Sequence, residues 1–589
     1  MILQALCDYY EILAQAGEIS KPGYGVTGVS LALQINEAGE LTRVFSLKTP
    51  QQRGKKTVEV ERKFELPLLE KRTSGIAANF LWDNARYVLG YDAKDNTSRA
   101  QDCFMAFKAL HHKLLDHVDC REAKALLAFL DDWQPAQAAK SALLADYLPM
   151  LASGANLVFC LHSSCFLHQC PAILAAWDTH CSRTSEHAAT MQCLVTGERA
   201  PASVLHASLK GVRGGQATGT SLVSFNDASS ESYGKNKGQG RNAPVSKRAA
   251  FAYTTALNYL LAGNKSRLYM GDTTMVFWAH SPEKCYENLF FAAVNPEKAA
   301  EKDAQTDDDG TQRELNAILC HVMNGEAVAM PRFDPETRFY ILGLAPNAAR
   351  AAVRFFYADS FGNILRNLKR HYDDLEIQRP PNEHYDLLPL WVLMNETVSP
   401  NSRDKVSSPL LTGAALRAII SGTAYPEALF SAVMVRIRAE GSITRAKVAI
   451  IKACLLRKKN FEHKEDCTVA LNDQSTTPAY VLGRLFAVLE KAQKDALGGI
   501  KSTIKDRYFS SACAAPASVF PVLLRLSQHH IAKADYGWKS SQNIQKLMEK
   551  LDESNAFPTH LGLNEQGIFI LGYYHQQNEN YAKSKQGEE

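Results

Sequence analysis

The hydrophobic periodicity of this chain changes along its length, and this change constrains the fold more than any other feature. Over residues 26–47 apolar residues alternate with polar ones, and a turn sequence interrupts the alternation at residues 36–39. Alternation of period two is typical of strands with one buried face, so this segment predicts a β-hairpin. From about residue 405 onward the apolar spacing becomes three and four, which is typical of packed helices.

Both patterns occur in the first half of the chain. Helical spacing predicts helices within residues 100–150 and from Ala249 to Leu261. Ser246 precedes the second of these helices at a position typical of an N-cap. A short apolar run predicts a buried strand at Asn156–Leu161.

The middle of the chain has a second strand and helix pattern. Phe339–Leu344 has the composition of a buried strand. The Ala-rich segment Ala348–Tyr357 that follows predicts a helix. Such a helix would place Arg350 and Arg354 one turn apart.

These patterns predict an α+β fold with a mixed α/β N-terminal region, small antiparallel sheets and a C-terminal helical bundle. A chain of 589 residues is too long for one hydrophobic core, so several domains are expected. The charged segment 297–314 is typical of a solvated linker or insertion. We therefore expect an N-terminal α+β domain over residues 1–300, a middle α+β/helical domain over 310–465 and a helical bundle over 466–589.

Composition limits the functional class only weakly. A net charge of +4 neither requires a polyanionic partner nor excludes one, so the placement of the cations matters more. The 13 cysteines are scattered, and the N-terminus has the pattern of an amphipathic helix rather than a signal peptide. No apolar run is long enough to span a bilayer. These features predict a cytoplasmic protein with reduced thiols.

Catalytic signatures are missing from the sequence. It contains no P-loop, no G-x-S-x-G elbow, no H-E-x-x-H zinc helix and no His-Asp dipeptide. We therefore predict a protein that is not an enzyme and uses no cofactor. The alternative is a metal-dependent nuclease whose active-site carboxylates are dispersed along the chain.

One cysteine- and histidine-rich segment offers possible metal ligands. The residues that have metal-binding side chains there are Cys160, His162, Cys165, His168 and Cys170, with Cys181 and Cys193 downstream. Thiolate and imidazole at this spacing could surround tetrahedral Zn²⁺. However, the apolar run before Cys160 is typical of a buried strand, and no C-x-x-C knuckle is present. Buried thiols with surface histidines are therefore the favoured interpretation.

The block from Lys210 to Lys247 has the most unusual composition in the chain. Glycines permit close backbone approach, flexible cations suit phosphates, and amide and aromatic side chains suit bases. The candidate DNA-binding residues are Lys210, Arg213, Gln216, Asn226, Tyr233, Lys235, Lys237, Arg241 and Asn242. A disordered surface insertion is the alternative. The apolar residues near Phe225 favour a loop attached to a core.

A second candidate segment lies closer to the N-terminus. Lys71 and Arg72 precede a glycine, and Asn79 and Asn84 follow within a predicted helix. Two amides on a helix could contact base edges. An ordinary helix start with a polar surface explains the same residues equally well.

The C-terminal helices have cations at helical spacing. Arg484 and Lys491 share one helix face, and Arg525, His529 and Lys533 lie four residues apart on another helix. The predicted bundle therefore has a basic exposed face.

Several of these segments together resemble a known family, the large subunit of the type I-C CRISPR Cascade. The similar segments are residues 74–92, 193–261, 339–357, 479–493 and 557–576. They occur in order over nearly the whole chain. The cysteines and histidines of residues 160–170 do not belong to the family pattern, which disfavours zinc further.

The resemblance implies a role in RNA-guided DNA recognition. Such a subunit recognises the protospacer-adjacent motif in duplex DNA, assists duplex opening and R-loop formation, and supports recruitment of a helicase-nuclease. Its implied partners are the guide CRISPR RNA complex with its backbone and crRNA-processing subunits, small subunits, the target duplex and the displaced strand. The C-terminal region resembles a Cascade small subunit.

The resemblance also suggests roles for the candidate residues. The 210–247 block and the Lys71–Asn84 segment would recognise the motif and open the duplex. Cations that would guide the target or displaced strand are Arg350, Arg354, Arg484, Lys491, Arg525 and Lys533. A purely structural assembly protein without DNA contacts is the remaining alternative.

Overall fold

The computed structural model describes most of the chain. The described residues are 1–53, 56–68, 76–93, 97–162, 165–186, 190–225, 242–294, 334–380, 383, 387–403, 406–551 and 556–586. They form two compact units, one of Met1–Ala207 with Val223–Leu257 and one of Ser208–Leu222 with Asn258–Glu589. Within these described ranges, no helix has the length and apolar character needed to cross a bilayer.

The first unit combines helices with short strands. Its helices are α1 (Ile2–Gln15), α2 (Ala85–Val88), α3 (Thr97–Leu115), α4 (Arg121–Asp132), α5 (Leu148–Ala152) and α6 (Pro171–Glu186), and α7 (Lys247–Ala262) begins here. Its strands are β1 (Tyr24–Val29), β2 (Leu31–Ile35), β3 (Leu41–Ser46), β4 (Thr49–Arg53), β5 (Lys56–Val60), β6 (Arg62–Pro67), β7 (Trp82–Asn84), β8 (Asn156–His162), β9 (Cys165–Phe166), β10 (Thr190–Gln192) and β11 (Arg199–Pro201).

The main sheet of this unit has the order β3-β2-β8-β7, with β9 paired to β8. The predicted hairpin is confirmed as β2 and β3, and the predicted strand at Asn156–Leu161 is confirmed as β8. β8 lies parallel to β2, while the other pairings are antiparallel. Leu31, Leu33 and Ile35 are fully buried against helices α3, α4 and α6, because alternate residues of β2 face the same side.

Two helical predictions in this unit have different outcomes. Helix α7 is confirmed, and Ser246 caps it by accepting a hydrogen bond from the backbone N–H of Ala249 at 3.2 Å. Within residues 100–150, α3 and α4 are confirmed. Beyond them regular helix is limited to α5, because the chain forms short 3-10 turns at Pro135–Lys140 and Ala145–Tyr147.

The second unit contains a sheet and a helical bundle. Its strands are β12 (Arg267–Met270), β13 (Thr273–Ala279), β14 (Arg338–Asn347) and β15 (Arg350–Ser360). Its helices are α8 (Cys285–Val294), α9 (Phe361–Leu375), α10 (Leu390–Asn395), α11 (Pro409–Ser421), α12 (Glu427–Glu440), α13 (Arg445–Arg457), α14 (Pro478–Leu497), α15 (Ile504–Ala514), α16 (Pro516–Lys533), α17 (Gly537–Met548) and α18 (Leu563–Gln586).

The antiparallel sheet β12-β13-β14-β15 corrects one prediction. The predicted strand at Phe339–Leu344 is confirmed within β14, but the predicted helix Ala348–Tyr357 is wrong, because this segment is β15. Asn347 pairs with Arg350 across a two-residue turn, and the ladder continues to Ser360. Pairing with β14 along its whole length therefore overrides the helix propensity of the Ala-rich segment.

The predicted C-terminal helical bundle is confirmed, with α14 at its centre. Helix α14 packs most closely against α18. A Cβ atom on Gly483 would lie 2.0 Å from the carbonyl oxygen of Phe569, and one on Gly572 would lie 2.2 Å from that of Tyr480. The two glycines therefore permit a backbone-to-backbone helix contact that no larger residue would allow.

The α+β fold class is confirmed by these elements. The predicted three-domain division stays a prediction, because its boundary near residues 297–314 lies outside the described residues.

Candidate nucleic-acid interface

Residues Ser208–Leu222, here called the glycine loop, are fixed to the β12–β15 sheet by backbone hydrogen bonds. Leu209 and Thr220 exchange two backbone hydrogen bonds of 2.7 and 2.9 Å, which close the loop at its base. Ser221 bonds to the backbone of Ala349 and Ala351, at the start of β15. This part of the predicted DNA-binding block is therefore an ordered loop, as the apolar residues near Phe225 predicted.

Side chains from neighbouring elements fix the loop further. The backbone N–H of Arg213 donates to Thr274 Oγ1 at 2.9 Å, and that of Lys210 donates to Asn258 Oδ1 at 2.8 Å. Leu209 and Val212 are buried. Because apolar residues point inward between the polar ones, Lys210, Arg213 and Gln216 are left exposed.

Gly219 shows why the loop needs glycine. Its φ is +100°, and a Cβ atom there would lie 2.8 Å from Ser208 Cβ and 2.9 Å from the carbonyl oxygen of Leu209. A side chain would meet both a strained backbone conformation and the opposite side of the loop. The glycine content of the segment is therefore explained by tight closure of the loop.

Arg213, one of the exposed cations of the glycine loop, lies near an arginine and a tyrosine of strand β12. The guanidinium carbon of Arg213 lies 5.7 Å from the ring centroid of Tyr269, and that of Arg267 lies 4.8 Å from it. Tyr269 is 43% exposed, so its ring can still contact a ligand.

One row of paired residues connects the loop to the exposed end of β15. Tyr269 pairs with Thr274, Thr274 with Leu344, and Leu344 with Val353. The register shifts between Gly343 and Leu344, so Arg354 of β15 is a bulge residue that has no pairing partner on β14. The guanidinium of Arg354 pairs with Asp272 at 3.2 Å. We call Lys210, Arg213, Arg267, Arg350 and Arg354 the basic rim.

The basic rim is suited to a polyanion. Arg350 begins β15, directly beside Ser221 of the loop. Two arginines of the rim, Arg213 and Arg267, contact the exposed ring of Tyr269, and a third, Arg354, pairs with Asp272. Guanidinium and ammonium groups can bind phosphates, and the phenol ring can stack on a base.

The sequence comparison identifies the family to which the chain belongs. Residues 6–581 match the family described as CRISPR-associated protein (Cas_Csd1). The chain belongs to the Cas_Csd1 family. This match confirms the CRISPR part of the resemblance and implies a Cascade-type subunit. No curated protein matches the chain.

Two residues of this Cas_Csd1 site were missed by sequence reasoning. Arg267 and Tyr269 are not among the residues that the sequence patterns predict, although the strand RLYM places both side chains on one face. The alternation of a cation and an aromatic residue on a short strand is the signal that could have found them.

Seven predicted site residues lie outside the described residues. They are Lys71, Arg72, Asn226, Tyr233, Lys235, Lys237 and Arg241. Asn242 is described, and its Oδ1 is buried without a hydrogen-bond partner among the described residues.

The amides near residue 80 do not lie on a helix, so that prediction is wrong. Asn79 precedes strand β7, and Asn84 ends the strand and caps α2 by accepting a hydrogen bond from the N–H of Arg86 at 3.1 Å. The buried Asp83 accepts hydrogen bonds from the N–H groups of Asn79 and Asn84 at 2.9 and 2.8 Å. The side-chain oxygen of Asn84 is therefore used locally as a cap.

Arg484 is not part of an exposed basic face, which corrects that prediction. Its side chain is 6% exposed, and it donates to Gln576 Oε1 at 3.0 Å and to Asp473 Oδ1 at 2.7 Å. Because α14 is the central helix of the bundle, the face of Arg484 is covered by α18. Lys491 remains partly exposed and pairs with Asp495 at 2.9 Å.

The other C-terminal cations have the predicted placement. Arg525, His529 and Lys533 are all exposed on helix α16. Their spacing of four residues puts them on one side of the helix.

Within its described residues, the cysteine- and histidine-rich segment does not bring its possible metal ligands together. Cys160 is buried on β8, and His168 lies between the rings of Phe64 and Phe166 at 4.8 and 5.3 Å. Burial lowers the pKa of His168 to about 4. His162 is exposed. The buried Cys160 and the exposed His162 match the favoured interpretation of this segment, whereas His168 is buried and does not.

Cys170 instead meets residues from a different part of the chain. Its Sγ lies 4.0 Å from Cys120 Sγ and 3.9 Å from Glu122 Oε2. These side chains could supply three of the four ligands that structural zinc takes. A second group in the described ranges consists of His463, Glu465 and Asp466, of which Glu465 is exposed and Asp466 is buried.

Proposed function

We propose that this Cas_Csd1 chain is the non-catalytic large subunit of a type I-C CRISPR interference complex. It recognises the protospacer-adjacent motif in duplex DNA, assists duplex opening and R-loop formation, and supports recruitment of a helicase-nuclease. It works in the prokaryotic cytoplasm with the guide RNA complex, its backbone and crRNA-processing subunits, and small subunits. In such a complex, base pairing with the guide RNA recognises the target sequence. The protein itself then needs only to recognise a few bases of the motif and to offer cations that bind the DNA strands.

The basic rim is the observation that carries this proposal. Lys210 and Arg213 are exposed on a loop whose backbone is fixed at both ends, so little backbone entropy is lost when their side chains bind phosphates. Gln216 is exposed on the same loop and can hydrogen-bond with a base edge. Cations fix the register on the duplex, while an amide supplies the sequence preference.

Salt-dependent DNA binding tests the role of the rim. The full-length chain, assembled with its guide RNA and the other subunits, is titrated with labelled duplex DNA at several salt concentrations. Replacing both Lys210 and Arg213 with alanine removes two phosphate contacts. The plot of the logarithm of the association constant against the logarithm of the salt concentration should therefore become shallower, with a negative slope smaller in magnitude by about 2. The matched control is Lys124→Ala, which removes an exposed cation that pairs with Asp119 at 2.6 Å in the other unit.

Two outcomes would contradict the proposed contact. An unchanged slope in the Lys210/Arg213 variant would favour the purely structural assembly protein. An equal change in Lys124→Ala would show a general charge effect without a defined site.

Motif recognition is tested separately. Gln216→Ala and Asn226→Ala should relax the preference for the motif while leaving the salt slope unchanged, because amides contact bases rather than neutralise phosphates. If both variants keep the full preference, the base contact is not in this block.

The nuclease alternative predicts turnover. Labelled DNA incubated with the purified chain and Mg²⁺ or Mn²⁺ should stay intact under the proposed function. Cleavage that is abolished by substituting one carboxylate would overturn the non-catalytic assignment.

A further inference from the structure

Two large aromatic side chains are strongly exposed at the turn between helices α16 and α17. Tyr536 is 68% exposed and Trp538 is 62% exposed. The basic rim lies on other elements of the chain, so the proposed DNA contact there does not explain them. Tyrosine and tryptophan rings are enriched at binding surfaces, where one end of the side chain is apolar and the other is wet.

The turn that presents these rings is rigid. Gly537 lies between them and is buried, and a Cβ atom there would lie 2.0 Å from the carbonyl oxygen of Ile531. Backbone hydrogen bonds of 3.0 to 3.1 Å join Gly537 to Ala534 and Lys539 to Tyr536. The backbone packs against the end of α16, so the two rings are held outside it without a flexible connection.

One lysine contacts both rings, and a second lies next to the turn. Lys539 Nζ lies 4.8 Å from the ring centroid of Tyr536 and 5.6 Å from that of Trp538. Lys533 is exposed at the end of α16, next to the turn. Helices α16 and α17 have no acidic residue, and Asp535 is the acid within the turn itself.

Helix α17 continues the same surface with polar side chains. Gln542 follows Trp538 by one turn, and Asn543 follows Lys539 by one turn, and both amides are exposed. Lys546 is exposed a further turn along the helix. This surface of aromatic rings, lysines and amides, with Asp535 as the acid of its turn, matches the chemistry of a nucleic-acid strand.

We infer that Tyr536, Trp538 and Lys539 form a stacking platform for single-stranded DNA. Two unpaired bases stack on the rings, and Lys539 and Lys533 bind the adjoining phosphates. The amides of α17 hydrogen-bond with these bases without a strong sequence preference. The base faces of a duplex are occupied by neighbouring base pairs, so the platform selects unpaired DNA. This inference rests on the proposed function, in which duplex opening supplies the displaced strand.

A protein partner is the competing occupant. Lysine is depleted at protein interfaces, whereas cations beside stacking aromatic rings are typical of surfaces that bind single-stranded nucleic acid. The surface therefore favours DNA, and loss of a protein contact is an outcome of the test.

The experiment measures binding of the full-length chain to a labelled thymidine oligonucleotide, to the same sequence in a duplex, and to an RNA of uridines. Tyr536→Ala combined with Trp538→Ala should weaken single-strand binding by about 30-fold or more, because two stacked bases are lost and each contributes about 1–3 kcal/mol. Duplex binding should change little. Trp538→Phe keeps an aromatic face and should restore much of the affinity.

Matched variants separate the platform from general effects. Trp391→Ala removes an aromatic residue that is 45% exposed on α10, and it should leave single-strand binding unchanged. An equal loss in Trp391→Ala, or none in the double variant, would overturn the platform. Tighter binding to RNA than to DNA would overturn the choice of DNA, and loss of another subunit from the assembled complex with intact DNA binding would assign the surface to a protein.

The platform and the proposed function fail in distinguishable ways. If the Lys210/Arg213 variant binds duplex DNA like the unchanged chain while the platform variant loses single strands, the rim assignment is wrong and the platform stands. If the reverse result is found, the platform is wrong and the proposed motif contact stands.

Discussion

Replacing Gly483 with alanine should destabilise the C-terminal bundle severely, although alanine is the better helix former. The added Cβ would lie 2.0 Å from the carbonyl oxygen of Phe569 and 2.9 Å from the backbone nitrogen of Tyr573. Since ordinary carbon–oxygen contacts are longer by more than about 1 Å, α14 and α18 must move apart along their whole contact. Tyr480, Phe486 and Phe569 are fully buried in that contact, so separation opens space around each of them.

The expected cost follows from this overpacking. Forcing a methyl group into a packed core costs about 1–3 kcal/mol, and a backbone-to-backbone contact that cannot relax by rotamer change should lie at or above about 3 kcal/mol. The matched control is Gly413→Ala in α11, where a Cβ has no atom within 4 Å. That substitution should stabilise the protein by about 0.5–1 kcal/mol through helix propensity alone.

Urea unfolding of the full-length chain, followed by circular dichroism, measures both changes. Gly483→Ala should lower the unfolding midpoint and Gly413→Ala should raise it. A midpoint for Gly483→Ala at or above that of the unchanged chain would refute the close helix contact.

Two further predictions concern stability. Arg484→Ala should lower the free energy of unfolding by about 1–3 kcal/mol, because it leaves the buried Gln576 without its donor, while Asp473 is 70% exposed and can be solvated. Arg525→Ala should change the free energy of unfolding by less than about 0.5 kcal/mol at an exposed position, and equal effects in urea unfolding would contradict the burial of Arg484. Burial raises the pKa of Glu287 to about 7, above its ordinary value of 4.5, so its contribution to stability is present below pH 4.5 and is lost as the pH rises through 7. The stability of Glu287→Gln relative to the unchanged chain should therefore rise by up to about 3 kcal/mol as the pH is raised from 5 to 8. If the difference between the two urea-unfolding midpoints does not change with pH, the Glu287 carboxyl does not titrate in this range.

Local sequence patterns determined several parts of this protein without help from the tertiary structure. The β2–β3 hairpin follows from alternation and a turn sequence, and the start of α7 follows from Ser246. The exposed cations of α16 follow from a spacing of four residues on a helix with one apolar face. In each case the decisive interactions join residues that are close in the sequence, so the pattern is sufficient.

The tertiary structure decided the rest, because the deciding partners are distant in the sequence. The segment Arg350–Ser360 has helical spacing, and it becomes a strand because β14 offers it a complete ladder of hydrogen bonds. Arg484 has the spacing of a surface cation, and it is buried because α18 covers its side of α14. The basic rim forms because the glycine loop is anchored on Thr274 and Ala349, which brings Arg213 to Tyr269. The spacing of apolar residues shows which side chains of a helix or strand could be buried. Which of them are buried is decided only when segments distant in the sequence pack together.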